Sequence, residues 1–167
     1  MTLDAMEKGA EVSPCERFRY RLWRRWDAGR EAAVWLMLNP STADHARNDP
    51  TIRRVLGFST AWGFGSAEVV NLFAIRSKKP AAIHAAADPI GPLNDAAIVQ
   101  AVTGRRVVLA WGAHGTRHAD RVQTVLRMLA QVTDPDKLMC LGRTVDGEPL
   151  HPLMLKAATP LVPWRTA

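Results

Sequence analysis

Residues Ala32–Leu38, AAVWLML, form an unbroken apolar run that stops at Asn39-Pro40-Ser41-Thr42-Ala43-Asp44. An apolar run with no polar interruption reads as a strand covered on both faces. Strands of this kind belong to open α/β sheets, whose binding crevice lies outside the carboxyl ends of the strands. Asn39 to Asp44 is therefore the first wall of an expected site, with Pro40, Ser41 and Thr42 as its small or rigid surface.

The segment before this run, RFRYRLWRRW from Arg17 to Trp26, alternates basic with aromatic or aliphatic residues. Phe18, Tyr20, Leu22 and Arg24 share one face at period two. The segment reads either as an edge strand protected by arginines or as a charged groove with stacking rings. Asp27-Ala28-Gly29 predicts a hairpin turn into Ala32–Leu38. Beyond the polar loop, Asp49-Pro50 opens a helix that runs to Ala61, with Asp49 as N-cap. That helix start faces the crevice and favours an anion there.

Trp62-Gly63-Phe64-Gly65 breaks the helix, and Ala67–Ile75 is a second buried strand with one polar intruder, Asn71. Arg76–Pro80 is a basic loop, and a helix follows at Asn94–Val102. Arg106–Trp111 is a third strand, which ends in Gly112-Ala113-His114-Gly115. An amphipathic helix spans His118–Val132, with Val122, Val125, Leu126 and Leu129 on one face. Lys137–Leu141 is the last clear strand, a loop leads to His151, and Leu161–Trp164 is a tail that docks on the sheet. This order predicts a single-domain, three-layer α/β/α sandwich with a mostly parallel central sheet over residues 15–167. Residues 1–14 are expected to be a flexible leader. Four strand exits converge on one sheet edge: NPSTAD, the Arg76 loop, WGAHG and the loop to His151.

A chain of 167 residues suits one such domain, and its net charge of +6 favours phosphate-bearing partners. Nucleic acid, DNA before RNA, or a nucleotide is the expected partner. No run approaches the roughly 18 apolar residues that span a bilayer, and MTLDAMEKGAEVSP has no apolar signal core. A cytoplasmic monomer without membrane contact is expected. Cys15 and Cys140 are too isolated for a disulfide framework. Of His45, His84, His114, His118 and His151, only His114 and His118 have paired metal-ligand spacing, and that pair straddles a helix start rather than sharing one helical face. No P-loop or GxSxG elbow is present, so neither metal nor cofactor is expected.

The chemistry-bearing candidates sit at the strand ends. Asn39 can orient a water or read a base edge, since a carboxamide both donates and accepts; capping its own turn is the alternative. Asp44 is a general base or a turn cap. Asn71, an amide in an apolar strand, must find partners or cost stability. His151 and His114 follow strands and can act as acid, base or anion donor. Arg76, Trp111 and Gly112 complete the expected binding surface.

The series MLNPSTAD, DPT, WGFG, NLFA, DPIGPLND, AWG and CLG…HPL resembles a bacterial and phage domain family of unknown function, from Arg17 to about Lys156. A more distant resemblance is to the uracil-DNA glycosylases. Their strand-end motif GQDPYH, or GINPG in the mismatch-specific branch, precedes an aromatic residue, a strand ending in LLN, a strand with LLWG and a late HPS. The same order recurs here as Leu38-Asn39-Pro40-Ser41, Phe58, Val69-Val70-Asn71, Leu109-Ala110-Trp111-Gly112 and His151-Pro152-Leu153. The resemblance implies the uracil-DNA glycosylase fold and a DNA-repair hydrolase that cleaves the N-glycosidic bond of a modified or mismatched base. Within it, Asn39 positions the attacking water and Phe58, or alternatively Trp62, stacks on the extruded base. Asn71 reads the base edge and His151 stabilises the departing anion. Leu153 stands where that family has serine, and the aspartate of GQDPYH is absent, which implies weak catalysis at most. A non-catalytic nucleic-acid binder and a protein for a small nucleotide metabolite are the alternative expectations.

Overall fold

The computed structural model describes residues 6–165. In chain order these are strands β1 (Glu7–Val12), β2 (Arg19–Arg25) and β3 (Ala32–Met37), then helix α1 (Pro50–Ala61) and strand β4 (Ser66–Asn71). Short helix α2 (Ala82–Ala85), helix α3 (Asn94–Val102), strand β5 (Val107–Leu109), helix α4 (Ala119–Val132) and strands β6 (Leu138–Cys140) and β7 (Val162–Pro163) complete the order. Among the described residues the protein is an α/β fold built on one seven-stranded mixed sheet, ordered β1-β2-β4-β3-β5-β6-β7.

Only the middle of the sheet is parallel. β4, β3, β5 and β6 run in one direction, while β1, β2 and β7 join antiparallel at the two sides. The expected mostly parallel sheet is thus correct for the four inner strands alone. Alternate side chains of β3 enter two cores. Val34, Leu36 and Leu38 pack with Ile98, Ala101 and Val102 of α3 and with Val122, Val125 and Leu129 of α4. Ala33, Trp35 and Met37 pack with Ile52, Val55 and Phe58 of α1. Burial on both faces accounts for the absence of polar residues along β3.

The expected hairpin between β2 and β3 does not form, because β4 lies between them. Gly65 is the physical reason. Its carbonyl accepts from the backbone N–H of Trp26 and Asp27, each at 2.9 Å, and its own N–H donates to Glu31 at 2.8 Å. A Cβ at this position would meet the Asp27 carbonyl oxygen at 2.0 Å, so only glycine lets the start of β4 enter the gap. The Asp27-Ala28-Gly29 turn is real, with Asp27 Oδ1 accepting from Gly29 N–H at 2.9 Å. It merely closes a wider connection.

The leader also departs from expectation. Residues 1–5 lie outside the described residues, but Glu7–Val12 pairs antiparallel with β2 from Glu7↔Arg25 onward. Its side chains are mostly exposed, so it carries no apolar pattern to read. β2 is consequently not an edge strand. The tail does dock: Cys140↔Val162 pairs β6 with β7, and Trp164 N–H donates to the Leu138 carbonyl at 2.8 Å.

Candidate functional site

A cleft of about 530 Å³ opens where β3, β4 and β5 end beside the first turn of α1. Asn39, Ser41 and Thr42 line it from the loop after β3, and Asn71 lines it from the last position of β4. The turn after β5 supplies Trp111, Gly112 and His114, and the loop after β6 supplies His151. Met37, Val69 and Ile52 give it an apolar lining. Eight of the residues singled out at the strand ends therefore share one cavity, brought there by the parallel direction of the inner strands.

Asn71 is the most unusual of them. It is 1% exposed, yet its carboxamide makes no hydrogen bond among the described residues, and its Nδ2 is buried without a partner. Its backbone carbonyl is held by Asn94 Nδ2 at 3.0 Å, which fixes the strand end and leaves the side-chain amide free. Asn39 is anchored differently. Its Nδ2 donates to the carbonyls of Pro40 at 3.1 Å and Ser77 at 3.0 Å. Carbonyls only accept, so the NH₂ must face them and Oδ1 remains as an acceptor for the cleft.

His151 is half-buried at the start of a 3₁₀ turn, Pro152–Met154. Leu153 N–H donates to its Nδ1 at 3.2 Å, so the neutral ring carries its proton on Nε2. Burial holds its pKa below the ordinary 6.5; Asp49 opposes this and His114 adds to it. The ring is thus a neutral donor at physiological pH. Gly112 shapes its seat. With φ 78 and ψ −175, Gly112 adopts a conformation open essentially to glycine alone, and a Cβ there would meet His151 Cβ at 3.1 Å. Gly112 N–H also donates to the Pro149 carbonyl at 2.9 Å, which ties the His151 loop to the end of β5. Trp111 donates from Nε1 to Glu148 Oε2 at 2.5 Å, a second tie between the same two segments.

Five expected site residues lie outside the cleft lining. Asp44 caps its own turn, with Oδ1 accepting from the backbone N–H of Ala46 at 2.8 Å and of Arg47 at 2.7 Å. Those two bonds lower its carboxyl pKa, which makes it a poorer base. Phe58 is 2% exposed inside the α1 core, stacked on Trp62 with ring centroids 5.2 Å apart. Phe58 sits more than two turns into α1 and Trp62 at its C-cap, roughly 12 Å and roughly 18 Å along the axis from the helix start that borders the cleft. Neither can stack on a ligand there. Pro40 is buried beneath the loop, where its carbonyl accepts from Ser77 N–H at 2.9 Å. Arg76 turns away, donating from Nη1 to the Glu16 carbonyl at 3.2 Å, and its neighbours Ser77 and Lys78 line the cleft instead.

Three charged lining residues were not singled out from sequence as site residues, Arg19, Asp49 and Lys78. Asp49 is the N-cap of α1, with Oδ1 accepting from Ile52 N–H at 2.8 Å and Oδ2 from Ala43 N–H at 3.2 Å. Arg19 is 2% exposed although strict alternation would turn it outward from Tyr20. The pairing of β1 with β2 skips Tyr20, passing from Glu11↔Arg21 to Val12↔Arg19. Such a bulge lets two consecutive residues point inward, and no local sequence signal marks it.

Fold and site together define an α/β protein with a polar-rimmed, apolar-lined cleft at the carboxyl edge of four parallel strands. The chain belongs to the family described as Protein of unknown function (DUF1643), whose model matches residues 19–153. Searches of curated proteins and of solved structures found no match. None of the described helices is long and apolar enough to cross a membrane. Among the described residues no three His, Cys, Asp or Glu side chains group to hold a metal ion.

Proposed function

We propose that the cleft binds a nucleobase presented by nucleic acid, and that the protein is an α/β/α sandwich of the uracil-DNA glycosylase type. The observation that carries this reading is the carboxamide of Asn71, a buried residue whose Nδ2 has no hydrogen-bond partner among the described residues. A buried amide without partners costs stability unless a ligand supplies them. A nucleobase edge, with donor and acceptor side by side, is the complement of that group. The apolar lining suits a flat ring extruded from a strand, and the net charge of +6 suits the phosphates of that strand.

In this reading the site runs N-glycosidic hydrolysis. Asn39 Oδ1 accepts a hydrogen bond from the attacking water and so aims its oxygen at the anomeric carbon. The glycosidic bond breaks with its electron pair going to the base, and the neutral Nε2–H of His151 hydrogen-bonds to the resulting anion. The water oxygen, once bonded to the anomeric carbon, releases its proton to that anion or to solvent. A neutral histidine loses no proton in this role, so the site needs no second group to recharge it. Incubation with oligonucleotides carrying uracil, mismatched and oxidised bases should yield abasic sites with at least one of them. Asn39→Ala and His151→Ala should each lower that yield by roughly 10²–10³-fold, the loss typical of a positioned polar group. Absence of abasic product across the panel would remove the hydrolase.

One observation favours a second reading, base binding without hydrolysis. Among the described residues the cleft lining holds a single carboxylate, Asp49, and both of its oxygens are engaged by backbone N–H groups. A water activated by general base catalysis has no free carboxylate to receive its proton. Under this reading, oligonucleotides bind with a salt-dependent affinity that Asn71→Ala weakens, and no base is released.

A further inference from the structure

Base recognition leaves one buried charge unexplained. Arg19 is 2% exposed, and burial lowers its pKa to about 10, so it remains charged at neutral pH. Its Nη1 donates to the Ala43 carbonyl at 2.8 Å, while its Nε is buried with no partner. No carboxylate stands within ion-pair distance of it among the described residues, in contrast to Arg121 with Asp95 at 2.6 Å. Asp49 is the main anionic influence on it, but the Asp49 oxygens are held by Ala43 and Ile52. A guanidinium removed from water without a counter-charge is costly, and Arg19 has one open side, the cleft. Lys78, exposed at the rim, and the hydroxyl residues Ser41, Thr42 and Ser77 line the same cavity beside the first turn of the twelve-residue α1.

We propose that Arg19 seats a phosphate in this cleft, so that the ligand is a nucleotide unit rather than a free base or nucleoside. The assignment rests on the nucleobase reading for the other half of the ligand. A guanidinium matches two phosphate oxygens with two parallel N–H donors, and among the described residues Nη1 alone has a partner, which leaves the Nε–Nη2 side of the fork open. Lys78 adds a mobile charge at the rim, and the start of α1 favours an anion beside it. The phosphate ester can be the terminal group of a mononucleotide or a diester within a strand; both present the same oxygens.

The test is calorimetric titration of the full chain with four probes: deoxyuridine, its 5′-monophosphate, inorganic phosphate and a short uracil-containing single strand. The wild-type protein should prefer the monophosphate or the strand over deoxyuridine by roughly 10- to 100-fold, the strength of charge-assisted bonds to a guanidinium. Whichever of the two binds tighter identifies the source of the phosphate, and inorganic phosphate should compete with it. Arg19→Gln should abolish the preference, and Arg19→Lys should restore part of it. Lys78→Ala, at an exposed position that does not endanger folding, should reduce the preference by a smaller factor. Equal binding of deoxyuridine and its phosphorylated forms by the wild-type protein would overturn the anion seat and leave the base reading intact. Arg19-dependent phosphate binding with no gain from an attached nucleoside would do the reverse.

Discussion

β2 buries two arginines five positions apart, and they live in opposite circumstances. Arg24 is fully buried, and its guanidinium makes five hydrogen bonds: to Asn48 Oδ1 and to the carbonyls of Gly9, Trp23, Asp44 and Arg47. It braces the 44–48 loop from below, and nothing about it asks for a ligand. Among the described residues Arg19 makes one side-chain bond, to the Ala43 carbonyl, and it faces a cavity. The same side chain on the same strand is a strut at one end and an unfinished contact at the other. Burial alone does not separate the two roles; the completeness of the hydrogen bonding does.

The largest effect is expected where the bonding is complete. Arg24→Met should cost roughly 3–5 kcal/mol, because several buried carbonyls lose their donor together. Urea denaturation followed by tryptophan fluorescence measures it. Next comes Gly112→Ala, at about 1–3 kcal/mol for a conformation that alanine avoids. The added methyl also displaces His151, so oligonucleotide binding or base release should fall by more than the stability loss explains. Arg19→Met is expected to change stability by less than about 1 kcal/mol, since an apolar residue replaces a buried ion at little net cost. Equal losses at positions 19 and 24 in the same denaturation experiment would erase the contrast between strut and receptor.

That contrast is only half legible in the sequence. Period two along RFRYRLWRRW puts Arg24 on the inner face with Phe18, Tyr20 and Leu22, where the structure has it. The same rule hides Arg19, because the bulge at Tyr20 depends on how β1 pairs, and β1 has no apolar pattern of its own. The site follows the same division. Asn39, Asn71, Gly112 and His151 were readable because each ends or follows an apolar run, and parallel runs must bring their ends to one edge. Phe58 and Trp62 were placed in the cleft through the likeness to glycosylases, whereas their phase on α1 assigns them to the core beside Trp35. The position of β4 between β2 and β3 hinges on Gly65 fitting against Asp27, a contact between segments 38 residues apart. No local propensity encodes such a contact.

The smallest expected effect concerns protons. His151 and His118 both have pKa values pushed below 6.5 by burial, with His114 lowering each further and His84 acting on His118. In the unfolded chain both rings take up a proton as pH falls through about 6.5. The folded protein resists that uptake, so the unfolded state binds more protons and stability falls as pH drops below that value. The loss ends once pH passes the lowered folded-state values, and it cannot exceed about 1.4 kcal/mol per pH unit for each ring. Urea midpoints at pH 7.5, 6.5 and 5.5 measure it. His151→Gln should flatten the slope by the His151 share and leave the His118 share in place. A variant with an unchanged slope would mean that His151 takes up its proton as readily in the folded protein as in the unfolded chain. In that case the burial effect assigned to the His151 ring would have to be given up, and its neutral form would rest on the ordinary histidine pKa alone.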